Sequence, residues 1–117
     1  MIFYIILLLL QCGLYNALYA ATHTVISVAD VGPGTLRQAI IDSNADAGPT
    51  RLINFAIVGA APFIISPLTT LPDIVAPVTV DGYTQPGAVP NTDPLVSNAN
   101  ILIEINGNNY IIERGLT

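Results

Sequence analysis

From Arg51 to Gly107 the chain is cut into short apolar runs, and prolines stand at their ends rather than inside them. A proline lacks the backbone N–H that a central strand needs, so Pro62, Pro67, Pro72, Pro77, Pro86, Pro90 and Pro94 mark corners between strands. The runs themselves alternate. Ile53, Phe55 and Ile57 share one face of "LINFAIV", Val78 and Val80 one face of "PVTVDG", and Ile101, Ile103 and Ile105 one face of "ILIEING"; "FIISPL" is a further short run. Asp81–Gly82 and Asn106–Gly107 are turn dipeptides that close two of them. Phe55, Thr79 and Ile103 follow one another at equal steps of about two dozen residues, the period expected of one coil of a β-solenoid. The same runs also suit a β-sandwich.

One stretch reads as a helix. In "GPGTLRQAIIDSNA", residues 32–45, Gly32, Pro33 and Gly34 form a turn, and the Thr35 hydroxyl is placed to accept a backbone N–H as N-cap. Leu36, Ala39, Ile40 and Ser43 recur at helical spacing, while Arg37, Gln38 and Asp42 fall off that face. Asn44 to Pro49 supplies the stop, since Gly48 and Pro49 do not continue a helix. Stacked coils leave strand edges and an apolar core open at their ends. A short amphipathic helix near the start is therefore expected to plug the first coil, with Leu36, Ala39 and Ile40 inserted and Arg37 at the rim. Ahead of it, "HTVISVAD" predicts a short strand with Ile26 and Val28 on one side and Val25 and Ser27 on the other.

The first residues bear on the compartment. "MIFYIILLLL" followed by "QCGLYNALYAA" has the layout of a secretory signal peptide over residues 1–21, with cleavage after Ala20 or Ala21 and a domain over 22–117. An uncleaved single-span anchor through residues 2–21 is the alternative. Cys12, the only cysteine, lies in this leader, and Gln11 stands where a lipobox has a small residue. Without the leader no thiol remains for disulfides or thiolate chemistry. The 117 residues allow at most one domain, and an apolar fraction of 52% is enough for a packed core. The chain has no lysine and a net charge of -5, so it lacks the basic footprint of a nucleic-acid binder.

Side-chain chemistry is sparse. His23 is the sole histidine, has no cysteine beside it and reads as a solvent-exposed residue, so neither a metal site nor a cofactor is expected. Ser27, Ser43, Ser66 and Ser97 all lack the Gly-x-Ser-x-Gly context of a nucleophile elbow. "GPG" lacks the further Gly or Lys of a phosphate loop. Asp81 and Glu104 fall one proposed period apart to within a residue, which would set two carboxylates near each other, the pairing that Ca²⁺ binding or acid and base chemistry needs. The simpler reading makes Asp81 a turn residue, Glu104 an outward strand residue and Asp73 a corner after Pro72. Arg37 reads as an ion pair or carbonyl clamp at the cap; Arg51 is a second cation able to pair with a uronate, and Arg114 has no context. Tyr83, Tyr110, Asn106, Asn108 and Asn109 offer rings and amides to a sugar, or form a polar loop around a half-buried ring. No catalytic, cofactor-binding or metal-binding residue is assigned.

Taken in order, "DVGPGTLRQAIIDSNADAG", "INF", "LTTLPDIVAPVTVDGYTQPG", "IEINGNN" and "GLT" resemble the N-terminal region of bacterial secreted right-handed parallel β-helix proteins, including the segment named for a Cys-Ser-Leu-Arg-Glu-Ala signature. The corresponding hexad is Gly34 to Ala39, in which Leu36, Arg37 and Ala39 match and the Cys and Glu are replaced. The resemblance implies an all-β, right-handed parallel β-helix: a cap with one short helix, followed by the first coils. It implies an exported, noncatalytic structural or adhesion module whose partners are extracellular carbohydrate or a surface protein. The alternative is a fragment of a polysaccharide lyase or hydrolase of the same fold. Such proteins usually continue for many coils beyond "GLT", so a truncated frame, a fragment, or a small protein that self-associates through an open end is expected.

Overall fold

The computed structural model describes residues 20–107. The signal-peptide or anchor reading rests almost wholly on residues outside this range, as do the readings of Asn108, Asn109, Tyr110, Arg114 and "GLT". Among the described residues no helix is long and apolar enough to cross a membrane.

Among the described residues five short strands, one α-helix and one 3-10 turn follow one another: β1 (Ala21–Val25), α1 (Leu36–Ala45), β2 (Arg51–Phe55), β3 (Phe63–Ile65), β4 (Thr79–Asp81), the turn Gly82–Thr84, and β5 (Ile103–Ile105). They make a small mixed α/β unit of two sheets, in the orders β1-β2-β4 and β3-β5, with no closed barrel. Every strand pair in the two sheets is parallel.

The register differs from the one expected from equal steps. Leu52 pairs with Thr79, Ile53 with Val80 and Asn54 with Asp81, while Phe63 pairs with Ile103 and Ile65 with Ile105. Phe55, Thr79 and Ile103 therefore do not form one column. The connections between paired strands are unequal in length, and an even spacing of strand centres says nothing about which strands are neighbours.

Alternation sorts the side chains. In the first sheet Val25 stacks on Phe55, and His23 on Ile53 and Val80, all facing inward. Thr22, Leu52 and Thr79 form one outward column, and Thr24, Asn54 and Asp81 another. The second sheet adds Phe63 and Ile65 to the core and leaves Ile64 half-exposed. Val25, Ile53, Phe55, Ile57, Phe63 and Ile65 share one buried cluster with Leu36, Ala39 and Ile40 of the helix. Burial of side chains this size stabilises by about 1.5–3 kcal/mol each.

Helix α1 lies against β1 and β2. The Thr35 hydroxyl accepts from Gln38 N at 3.2 Å and donates to Gly32 O at 2.8 Å, fixing the first turn. The buried face is Leu36, Ala39, Ile40 and Ser43. The helix ends at Ala45, where Asp46 is extended and its N–H bonds Ser43 O. The preceding strand stops earlier than "HTVISVAD" suggests, because the N–H groups of Ile26 and Ser27 both donate to Gly34 O, at 2.8 and 3.0 Å. This capture diverts the chain from the sheet, and Ile26 and Val28 are exposed rather than paired in a strand. Gly34 has φ +74°, and a Cβ on it would lie 2.5 Å from Ile26 Cγ1, so both the backbone conformation and the close approach require glycine.

Candidate functional site

The outward face of the β1-β2-β4 sheet carries polar side chains in register. Parallel in-register pairing brings Thr24, Asn54 and Asp81 side by side, and places Thr22 and Thr79 on either side of Leu52. Thr22, Thr24 and Thr79 are exposed. The Asp81 carboxylate caps the 3-10 turn by accepting from Tyr83 N at 3.0 Å, and Tyr83 beyond it is 43% exposed. Asn54 Oδ1 is shielded from solvent and has no hydrogen-bond partner among the described residues. The face thus carries exposed threonine hydroxyls in two neighbouring columns, with the Asp81 carboxylate and the Tyr83 ring at its β4 side.

The row ends in a device that sequence reasoning missed. Beyond Asp81 the chain leaves the sheet, yet Phe55 and Ile57 still have backbone groups turned toward it. Thr84 Oγ1 accepts from Phe55 N at 2.8 Å and donates to Asp81 O at 2.6 Å. Gln85, itself 2% exposed, accepts from Ile57 N at 2.8 Å and donates to Ile57 O at 2.9 Å. Two side chains thus continue the ladder where the backbone of β4 stops. A buried glutamine beside Pro86 and Gly87 has no periodicity to reveal it; the only signal is a polar residue with a full donor and acceptor set next to a corner.

The remaining candidates serve mostly as braces. Arg37 donates from Nη2 to Asp30 Oδ1 at 2.6 Å and to Thr69 O at 2.9 Å, from Nη1 to Thr70 O at 2.7 Å, and from Nε to Asp30 O at 3.2 Å. It ties the start of the helix to the loops on both sides. This hydrogen bond from Arg37 holds the Asp30 carboxyl below its ordinary range, with burial opposing. At the other end of the helix, the Asn44 amide donates to Asp73 O at 2.7 Å and accepts from Val75 N at 3.2 Å.

His23 is not solvent-exposed as expected. It occupies an inward position on β1, its side chain 20% exposed, with Nε2 lying 2.5 Å from Asp46 Oδ2. Arg51 Nη2 donates to the Asp46 carbonyl, while Arg51 Nε is buried with no partner among the described residues.

Asp81 and Glu104 are not brought together as one stacked pair. Asp81 is beside Asn54 in one sheet and Glu104 beside Ile64 in the other. Ser43 is buried in the helix face, and Ser27 Oγ accepts from Ala29 N at 3.1 Å. Among the described residues no group of three or more His, Cys, Asp or Glu is placed to hold a metal ion.

A separate brace shapes the β4–β5 connection. Val89 and Asn100 exchange two backbone hydrogen bonds, at 3.0 and 2.8 Å, and the Asn100 amide donates to Gly87 O at 2.9 Å. Beyond this neck Asp93 accepts from the N–H groups of Leu95 and Val96, which lowers its pKa, and Asn91 and Asn98 bond across the loop. Leu95 and Val96 at its tip are 92% and 70% exposed. No family model, curated protein or solved structure matches this chain.

Proposed function

We propose that the chain is an exported, noncatalytic structural module: the capped first coils of a right-handed parallel β-helix, acting in adhesion or surface display. The observation that carries this reading is that, from β2 onward, the chain passes between two all-parallel sheets, from β2 in one to β3 in the other, back to β4 in the first and on to β5 in the second. A chain that winds from one sheet to the other and back builds a stack. The helix covers the β1 end of it, which supports the role of α1 as a plug. The outward row of Thr24, Asn54 and Asp81 beside exposed Tyr83 supplies a face for extracellular carbohydrate or a surface protein.

Fractionation of the producing cells, with the intact mass of the native species, tests the reading. It predicts a species lacking residues 1–21 in the envelope or the medium. A full-length chain retained in the cytoplasm contradicts it, and a full-length chain that survives carbonate washing of the membranes replaces release with anchoring through residues 2–21.

A further inference from the structure

The two bonds at which a leader ending at Ala20 or Ala21 is cut lie at the root of β1. Ala20 is exposed, and Ala21 opens the strand with its N–H donating to Thr50 O at 3.1 Å. From there the chain is held residue by residue. Ala21 to Val25 pair in register with Arg51 to Phe55, and the N–H groups of Ile26 and Ser27 are taken up by Gly34 O. His23 Nε2 lies 2.5 Å from Asp46 Oδ2 just past the end of α1, Val25 is 0% exposed, and α1 itself lies against the strand. An enzyme that cuts a peptide bond takes the chain around it as an extended segment, through backbone groups that are not already paired. On the carboxyl side of both bonds β2 holds that segment.

We propose that the docking of β1 on β2 decides the fate of the leader: it is removed only while β1 is undocked, and a chain that folds first keeps it and stays anchored through residues 2–21. The cut is a hydrolysis. Water adds across the bond, the leader departs with the new carboxylate and the module retains the new ammonium. In the folded chain the bond is reached only through local opening of β1, so its cutting is slowed by the small population of the open form. Release and anchoring are then two outcomes of one race between a peptidase and the pairing of β1. The inference rests on the signal-peptide reading and adds to it the order of events.

Its test uses the full chain in detergent micelles, a type I signal peptidase as the probe and the masses of the products as the readout. The native chain is compared with one that carries a short Gly-Ser spacer between Ala21 and Thr22, which sets the cut clear of the ladder and leaves the core untouched. The spacer chain is expected to be cut at least about tenfold faster. Val25→Asp, which puts a charge where the native side chain is 0% exposed, is expected to detach β1 and to speed cutting at the native bonds. Native and spacer chains cut at the same rate, both with native circular dichroism, overturn the inference, because the bond is then open in the folded chain. No cutting in any of the three chains, the Val25→Asp chain included, overturns the signal-peptide reading itself.

Discussion

The carboxamide of Gln85 meets both backbone groups of Ile57, accepting its N–H at 2.8 Å and donating to its C=O at 2.9 Å. The side chain does what a strand would do at this position, in a site where Gln85 is 2% and Ile57 7% exposed. Buried backbone groups left unpaired cost about 1–3 kcal/mol each, which makes this contact structural rather than decorative.

Gln85→Ala is therefore expected to destabilise the fold by about 3 kcal/mol in urea unfolding. Gln85→Glu separates pairing from size. As a carboxylate it still accepts from Ile57 N but no longer donates to Ile57 O, and it buries a charge. A protonated acid restores both bonds. Burial raises the folded-state pKa of such a group, so the penalty relative to the native chain is absent below the ordinary Glu value of about 4.3 and grows as pH rises above it. A Gln85→Glu deficit that does not shrink in acid would mean that the amide does not bridge Ile57.

The turn into the helix gives a paired test. Gly34→Ala forces an L side chain into φ +74° and a Cβ into the Ile26 side chain at 2.5 Å. Gly32→Ala meets the same kind of backbone strain, at φ +104°, but nothing within 4 Å. Gly32→Ala is expected to cost about 1 kcal/mol and Gly34→Ala distinctly more, as urea midpoints would show.

Asp30 and Arg37 predict an acid-labile link between the helix and its flanking loops. The Asp30 pKa is depressed, chiefly by the hydrogen bond from Arg37. The unfolded chain therefore takes up the proton first. The stabilisation is complete above the ordinary Asp range near pH 4, and it is lost as pH falls through the lower folded value. Asp30→Asn should lower the melting temperature at pH 7 and remove part of the fall in melting temperature on acidification. The two chains should converge at the acid end.

The plug is tested by Leu36, which is 3% exposed against the shared core. Leu36→Ala is expected to cost about 3 kcal/mol. Leu36→Asp is expected to uncover the β1 end and cause aggregation. Normal solubility and an unchanged unfolding midpoint for Leu36→Asp would remove the helix from its role as a cap.

Local signals in the sequence were sufficient for α1. The Thr35 cap and the spacing of Leu36, Ala39, Ile40 and Ser43 depend only on near neighbours, and these residues form the capped, buried face of the helix. The inward set Ile53, Phe55 and Ile57 was legible for a similar reason, since a two-residue period needs no knowledge of partners. Register was not legible. Thr79 lies beside Leu52 and Ile103 beside Phe63 because connections of different length carry the chain between sheets, and loop length leaves no hydrophobic pattern. Val80 shows the limit of pattern reading most clearly. Its inward parity could be read from alternation, yet it is 43% exposed because no strand among the described residues lies beyond it. His23 and Gln85 were misjudged or missed because their partners, Asp46 and Ile57, are distant in sequence and adjacent only after the strands have stacked.

Amide hydrogen exchange, measured residue by residue, tests most directly the proposal that the strands stack on one another with α1 over the β1 end. Strand β2 lies between β1 and β4, and β1 lies under the helix. The account predicts strongest protection at Ile53 and Phe55 and protection of the Ile57 N–H through Gln85. Exchange at Ile53 and Phe55 as fast as in the exposed loops, or an unprotected Ile57 N–H, would contradict it.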